Sequence, residues 1–317
     1  RRRGVGVAGL WYGCGNTALP NPSTIKAGLH ASGRILLFQG AVDIGQGANT
    51  VMTQILADAL GVEMTAIDRI GPDTDTTADA GKTSASRQTF ISGNATHLAG
   101  TALREQLLSL AGASPRAYLE VRDGQLVAHD QGEEAVIDLS SLEQDADGLV
   151  ASAEETFDPV TSALDENGQG DPYAVFGFGA QMTELEVDMD LGTVRLRRIT
   201  AAHDVGRAVN PTLVEGQIEG GIAQGIGMAL MEEYLPGRNE NLHDYLIPTF
   251  GDVPEIVSIL VESNDPLGPY GAKGVGEHTL VATAPSILNA IRHAVGAPVR
   301  DLPASPERVL AAIRSVR

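Results

Sequence analysis

Two charged side chains stand in a glycine-rich segment near the end of the sequence, GPYGAKGVGE at residues 268–277. Its four glycines predict a backbone loop rather than a helix or a strand, and the loop holds Lys273 and Glu277. Because an apolar run follows, a carboxylate here lies at the edge of a core, where it can act as a partly desolvated general base. A surface ion pair between Lys273 and Glu277 explains the same residues equally well.

A predicted helix over residues 211–234 is unusual because it contains five glycines, namely Gly216, Gly220, Gly221, Gly225 and Gly227. Each interior glycine costs about 1 kcal/mol relative to Ala, so another group must approach this helix closely. One face suits a flat polar heterocycle, because carboxamides both donate and accept hydrogen bonds. That face consists of Gln217, Gly220, Gly221, Gln224 and Met228. Tight helix packing with solvated glutamines is the alternative.

A glycine-rich turn, Gly45-Gln46-Gly47, separates a strand predicted over residues 34–44 from a helix that Asn49 caps and Gly61 ends. Backbone N–H groups at a helix N-terminus favour an anion such as phosphate, although an ordinary tight turn has the same sequence. Residues 71–89 follow as a loop rich in Asp, Thr and Ser, which is either a solvated loop or a ligand-binding one.

The remaining pattern predicts an α+β fold of two α/β subdomains, residues 1–160 and 161–317. A helix is predicted over residues 90–110 and a β-hairpin over 181–199, with its turn at DMDLGT. Short strands are predicted over 117–121 and 125–128. Ser305 and Pro306 predict the start of a last helix.

Composition excludes several classes of function. A formal charge of −19 argues against nucleic acid and against an anionic membrane surface. One cysteine, Cys14, forms neither an internal disulfide nor an iron–sulfur site. The most apolar stretch, residues 213–231, contains glutamate and glutamine and does not predict a membrane span. GVGVAG at 4–9 and the sequon at Asn94 lack the context that a dinucleotide fingerprint or a glycosylation site requires.

Four segments together resemble one family, the molybdopterin-binding subunits of xanthine dehydrogenases and aldehyde oxidases, over their C-terminal half. They are GAVDIGQGANTVMTQILADALGV (40–62), DTDTTADAGKTSASRQTFISGNA (73–95), DVGRAVNPTLVEGQIEGGIAQGIG (204–227) and GAKGVGE (271–277). They occur in the family's order and with sensible spacing.

The resemblance implies a role for individual residues. Glu277 matches the family's catalytic glutamate beside molybdenum, and Lys273 stands in the loop that leads to it. The protein itself provides no metal ligand, since the dithiolene sulfurs of the cofactor hold the metal. The positions that match cofactor-binding segments are Gly45, Gln46, Gly47, Ala85, Ser86, Gln88, Gln217, Lys273, Gly274, Val275 and Gly276.

The resemblance also implies the reaction, which is hydroxylation of an electron-poor carbon in an N-heterocycle or an aldehyde, with oxygen from water. The expected cofactor is molybdenum–molybdopterin in the cytosine dinucleotide form, and the loop at 73–89 is a candidate for the nucleotide. The expected partners are the N-terminal half of the molybdopterin subunit, a 2Fe–2S subunit and a FAD subunit. We expect a cytoplasmic location and leave a periplasmic one open, since the sequence starts at Arg1 without Met.

The chain lacks the G-G-G-F-G-like loop and the A-Y-R-G-like segment of the family's first half. A natural split subunit, as in nicotinate dehydrogenases, and a cleaved single-chain enzyme both fit this absence. Two other functions compete with a hydroxylase: a non-catalytic cofactor-binding scaffold, and a reductase of the benzoyl-CoA type on the same fold. The presence of Glu277 argues against the scaffold.

Overall fold

The computed structural model describes residues 1–316. In chain order the strands are β1 (Arg2–Gly13), β2 (Ser23–His30), β3 (Ile35–Phe38), β4 (Ile67–Ile70), β5 (Tyr118–Arg122), β6 (Gln125–Asp130), β7 (Glu133–Asp138), β8 (Leu149–Phe157), β9 (Phe176–Val187), β10 (Val194–Asp204) and β11 (Glu255–Val261). The α-helices are α1 (Ala48–Leu60), α2 (Gln88–Ala111), α3 (Pro211–Leu230), α4 (His278–Val281), α5 (Thr283–Val295) and α6 (Pro306–Arg314). The mixed α+β fold agrees with the prediction.

The chain divides into two compact units, each of which is discontinuous in sequence. Unit 1 comprises 1–12, 176–263 and the chain from Val275 onward, and unit 2 comprises 13–175 and 264–274. This division differs from the consecutive subdomains expected from the sequence. The reason is that β1 pairs with β9, far along the chain, while residues 264–274 return to unit 2.

Unit 1 is built on a four-stranded sheet in the order β1-β9-β10-β11. The predicted hairpin is confirmed, since β9 and β10 pair antiparallel across a turn at residues 188–193, while β11 joins β10 in parallel. Alternate residues of β9 and β10 pack against α3, α5 and α6 to form one apolar core. Ser305 accepts a hydrogen bond from the N–H of Arg308 and caps α6, as predicted.

Unit 2 has the long helix α2 at its centre. It packs against α1 and against β2 and β8 of a sheet in the order β4-β3-β2-β8. A three-stranded meander, β5-β6-β7, contains the short strands predicted from the sequence. The first turns of α2 are buried on nearly every side, so the helix has little amphipathic character there.

The strand predicted over residues 34–44 ends early, at Phe38, and the helix after it begins at Ala48 with Gly47 as its N-cap. Asn49 does not cap this helix, because it lies within the first turn, where its N–H donates to Asp43 Oδ2 at 3.0 Å. Gly61 ends the helix in a left-handed conformation, as predicted. Within residues 1–316 no helix is both long and apolar enough to cross a membrane.

Candidate functional site

Glu277 stands in unit 1 at the point where a tight turn becomes the short helix α4. Tyr12 Oη, near the end of β1, donates a hydrogen bond to Glu277 Oε2. The side chain is exposed, whereas the following residues, His278 and Thr279, are buried. The structure therefore holds an accessible carboxylate on a fixed turn, rather than the partly desolvated one expected from the sequence.

Thr279 closes the turn that carries Glu277. Its N–H and its Oγ1 both donate to the carbonyl oxygen of Gly276, at 3.0 and 2.7 Å. Thr279 Oγ1 also lies 3.2 Å from the carbonyl oxygen of Gln217 on α3. Within unit 1 the structure thus brings together three predicted site residues, Gln217, Gly276 and Glu277, while Val275 stands half-buried at the start of the turn.

The glycines of α3 serve two different purposes. A Cβ at Gly221 would collide with Thr279, and one at Gly225 would collide with Thr283, so these two glycines let α4 and α5 approach. Gly216 and Gly220 instead have nothing within 4 Å of a Cβ position and lie on the exposed side. The alternative of tight packing therefore explains the first pair. We define the open row of α3 as Gly216, Gly220, Gln224 and Met228, which are all exposed.

Beneath the turn, unit 1 buries a group of polar side chains that the sequence pattern did not indicate. Gln181, Thr183, His203 and Thr283 are each 0% exposed. His203 stands on β10, with its ring 5.4 Å from that of His278. Burial lowers the pKa of His203 from its ordinary value of 6.5 to about 4, because a charged imidazole is poorly solvated there.

The lowered pKa of His203 predicts an acid-labile unit 1. Above pH 6.5 the ring is neutral both folded and unfolded, so ionisation costs no stability. Between pH 6.5 and 4 the unfolded ring takes up a proton and the folded one does not, which removes about 3 kcal/mol of stability in total. Urea denaturation of wild type and His203→Gln at several pH values measures this. Equal slopes with pH in the two proteins would contradict it.

In unit 2, the glycine-rich turn before α1 is organised by Asp43. Its carboxylate accepts hydrogen bonds from the N–H groups of Gly45, Gly47 and Asn49. Burial raises the pKa of Asp43, but the backbone donors outweigh it and leave the pKa below its ordinary value. The expectation that these N–H groups await a phosphate is therefore wrong: an anion of the chain itself already holds them.

Gln46 folds back onto the same turn. Its Oε1 accepts from the N–H of Ile44 at 2.7 Å, and its Nε2 donates to the carbonyl oxygen of Val42 at 3.2 Å. The same carbonyl accepts from Thr83 Oγ1 at 2.8 Å, and Thr83 Oγ1 lies 3.2 Å from Gln88 Nε2. Two of the predicted cofactor residues, Gln46 and Gln88, are thereby linked through one carbonyl group and one hydroxyl group.

Gln88 has an unusual environment at the start of α2. It is 8% exposed, and its Nε2 is 3.2 Å from the carbonyl oxygen of Lys82 as well as from Thr83. Its Oε1 is buried and has no hydrogen-bond partner within residues 1–316. Since buried acceptors are normally satisfied, this oxygen is suited to an N–H or O–H group of a ligand.

Ala85 and Ser86 precede α2 in left-handed conformations, with φ of 54° and 51°. The carbonyl oxygen of Ala85 accepts from the N–H of Gly15 at 2.8 Å. The carbonyl oxygen of Ser86 leaves no room for a side chain at Gly274, which explains a glycine there. Lys273 is 7% exposed, and its Nζ lies 3.9 Å from Asp265 Oδ2.

Arg87, one of the polar residues of the loop at 73–89, holds that loop in place. It is 1% exposed and donates to the side-chain oxygen of Asn21 and to backbone carbonyl groups. Those carbonyl groups belong to Asn21, Pro22, Ala80 and Lys82. The spacing of residue types in the sequence does not reveal this role, because most of the acceptors are main-chain atoms. Among residues 1–316 no group of three or more His, Cys, Asp or Glu side chains could hold a metal ion.

Known proteins resemble this chain in sequence and in fold. Residues 1–254 match the family model described as the molybdopterin cofactor-binding domain. The chain is 35% identical to the putative xanthine dehydrogenase molybdenum-binding subunit XdhA of Escherichia coli (strain K12), over 97% of this chain and 42% of that protein.

Two solved structures superpose on nearly the whole chain. One is aldehyde oxidoreductase from Desulfovibrio gigas, with a TM-score of 0.85 and 30% identity over 99% of this chain and 32% of that one. The other is quinoline 2-oxidoreductase from Pseudomonas putida 86, with a TM-score of 0.79 and 25% identity over 99% and 42%. The chain spans less than half the length of each of these relatives. It belongs to the family of molybdopterin cofactor-binding domains found in the large subunits of xanthine dehydrogenases and aldehyde oxidoreductases.

Proposed function

We propose that this chain is the part of a molybdenum hydroxylase that supplies the catalytic base, and that it acts on an N-heterocycle or an aldehyde. The observation that carries the proposal is the accessible carboxylate of Glu277, fixed by Tyr12 on a turn in a chain of this family. The names of the relatives support the substrate class, since they act on xanthine, aldehydes and quinoline.

Glu277 accepts a proton as oxygen from water is delivered to the carbon. Its Oε2 receives the hydrogen bond from Tyr12, which fixes the rotamer and directs the carboxylate. The turn is short and closed by Thr279, so the base loses little freedom when substrate binds. When bound, the molybdopterin group supplies the redox centre that takes the electrons from the substrate.

Several residues of this chain fit a molybdopterin cofactor. The buried Oε1 of Gln88 is an acceptor without a partner within the described residues, which matches the N–H groups of a pterin. Unit 1 offers Gln217 and the open row of α3, where glycines leave backbone accessible to a flat ring. We assign further contacts to both units on family resemblance. They are Gly45, Gln46, Gly47, Ala85, Ser86, Lys273, Gly274, Val275 and Gly276.

The open row leads to a prediction with a built-in control, because Gly220 and Gly221 are neighbours with opposite surroundings. Gly220→Leu should keep the fold and reduce molybdenum and pterin content, since its side chain projects into open space that we assign to the cofactor. Gly221→Ala should instead lower stability by about 1–3 kcal/mol, because even a methyl group displaces Thr279. Metal analysis and thermal melting of both variants measure this. Wild-type cofactor content in Gly220→Leu would contradict the assignment of the open row.

The native protein also needs a particular form of the cofactor and partner chains. We propose the cytosine dinucleotide form, with the polar loop at 73–89 available for the nucleotide. We also propose an N-terminal half of the molybdopterin subunit, a 2Fe–2S subunit and a FAD subunit as partners. The native complex should yield these chains on mass spectrometry and CMP on acid hydrolysis. A complex without molybdenum and without iron–sulfur protein would contradict the hydroxylase and leave a scaffold.

A further inference from the structure

Gln181 is a buried carboxamide where an apolar residue would be expected. It lies on the face of β9 that, further along the strand, carries the core residues Leu185 and Val187. It is 0% exposed. Burying an amide without hydrogen bonds costs free energy, so its presence calls for well-placed partners. The structure supplies them from three separate elements.

The partners of Gln181 fix the orientation of its amide. Nε2 donates to the carbonyl oxygen of Thr279 at 2.6 Å, and Oε1 accepts from Thr283 Oγ1 at 2.7 Å. A carbonyl oxygen only accepts, so the nitrogen must face Thr279. The carboxamide therefore joins β9 to the end of the Glu277 turn and to the start of α5.

His203 supports the same orientation from β10. Its Nε2 lies 3.2 Å from Gln181 Nε2. The amide nitrogen donates, so the ring nitrogen facing it must be the unprotonated acceptor of a neutral imidazole. A neutral ring is also what burial at this position favours. His203 and Thr283 thus orient the Gln181 carboxamide in addition to its bond to Thr279.

Thr279 connects Gln181 to the turn that carries Glu277. Besides accepting from Gln181, it bonds back to Gly276 through both its N–H and its Oγ1, so residues 276–279 form one closed turn that carries Glu277. Gly221 of α3 packs against the other side of Thr279. Movement of the Thr279 carbonyl would therefore tilt the turn and displace Glu277.

We propose that Gln181 is a positioning residue for Glu277, and that its carboxamide holds the Thr279 carbonyl so that the turn presents the carboxylate in one orientation. This inference rests on the proposed function of Glu277 as the base. It assigns Gln181 a role beyond filling the core. A residue that only fills the core would affect stability and leave the turn unchanged.

Gln181→Met tests the inference, because Met has a similar volume and no amide. Thr183→Val is its matched control. Thr183 is two residues further on the same face, is 0% exposed, and loses one buried hydrogen bond, to Ser286 Oγ at 2.7 Å. In the purified complex, hydrogen exchange of the peptide over 277–281 should quicken in Gln181→Met and stay near wild type in Thr183→Val.

The purified complex provides the second readout. At unchanged molybdenum content, Gln181→Met should lower kcat by roughly tenfold to a hundredfold, since small misplacements of a catalytic group are costly. In a Glu277→Gln background the same substitution should lower kcat no further, because it acts through the carboxylate. Thr183→Val should keep kcat within about twofold of wild type.

The outcomes separate the two proposals. Wild-type turnover in Glu277→Gln would overturn the proposed function, whatever Gln181 does. If Glu277→Gln is inactive and Gln181→Met matches Thr183→Val in both exchange and kcat, the positioning role is overturned and the base remains. Full additivity of Gln181→Met with Glu277→Gln would likewise overturn the positioning role.

Discussion

Glu277→Gln should lower turnover by about two to four orders of magnitude while molybdenum and pterin content stay at the wild-type level. The amide keeps the size of the side chain and an oxygen that can accept from Tyr12 Oη, so the turn should keep its shape. It loses the negative charge and with it the ability to take a proton. Steady-state kinetics at saturating substrate, with metal analysis of the same preparation, measures both quantities.

Glu232→Gln is a close control for this experiment. Glu232 is also in unit 1, and its Oε2 accepts from Tyr245 Oη at 2.8 Å, which reproduces the tyrosine–glutamate hydrogen bond at another place. Like Glu277→Gln, this substitution removes one negative charge from a protein whose formal charge is −19. We expect turnover within about twofold of wild type. A comparable loss in both variants would indicate a general effect of charge and would contradict the assignment of the base.

Arg87→Met should destabilise unit 2 by at least about 3 kcal/mol, because it leaves several buried oxygens without donors at once. The guanidinium group of Arg87 bonds to Asn21 Oδ1 and to four backbone carbonyl groups, all at 2.6–3.2 Å. Methionine fills similar space and satisfies none of them. Hydrogen exchange over residues 78–88 and urea denaturation should both report the loss, and cofactor content should fall with it.

Arg34→Met supplies the comparison within the same unit. Arg34 forms a bidentate ion pair with Asp68, at 2.7 and 2.5 Å, but the two side chains are 41% and 50% exposed. Exposed ion pairs contribute little, so we expect a loss below about 1 kcal/mol. Similar losses in the two variants would mean that burial of the Arg87 network adds nothing, and would contradict the role given to it.

Elements whose signals are local in sequence could be predicted. The hairpin of β9 and β10 follows from alternation around DMDLGT, and α6 follows from Ser305 before Pro306. The capping of α1 could not be predicted in this way. Asp43 reaches forward over six residues to the N–H of Asn49, and the sequence does not show that a carboxylate rather than a ligand fills that place.

Glycine spacing and family resemblance both indicate Glu277 as a candidate site residue, and its role stays a prediction. Spacing placed Gly220 and Gly221 on one face of α3, yet one is open and the other lies against Thr279. Adjacent helix positions differ in direction by about 100°, so one face predicted from the sequence can include residues that lie on two different sides of the helix. Gln181 gave no signal, and Arg87 appeared only as one polar residue of the loop at 73–89, because the partners of both include backbone oxygens that the sequence does not reveal.

The interleaving of the two units also bears on the order in which the chain can fold during synthesis. Strand β1 is made well before β9, with which it pairs, and unit 2 lacks residues 264–274 until residues 13–263 have been synthesised. Those late residues then anchor on α2, where Asn94 Nδ2 donates to the carbonyl oxygen of Leu267 at 2.9 Å. Contacts this far apart in sequence slow folding and expose unpaired strands meanwhile. Neither unit can be completed from one continuous stretch of the chain, so cutting the gene at a single point yields two incomplete halves rather than two domains.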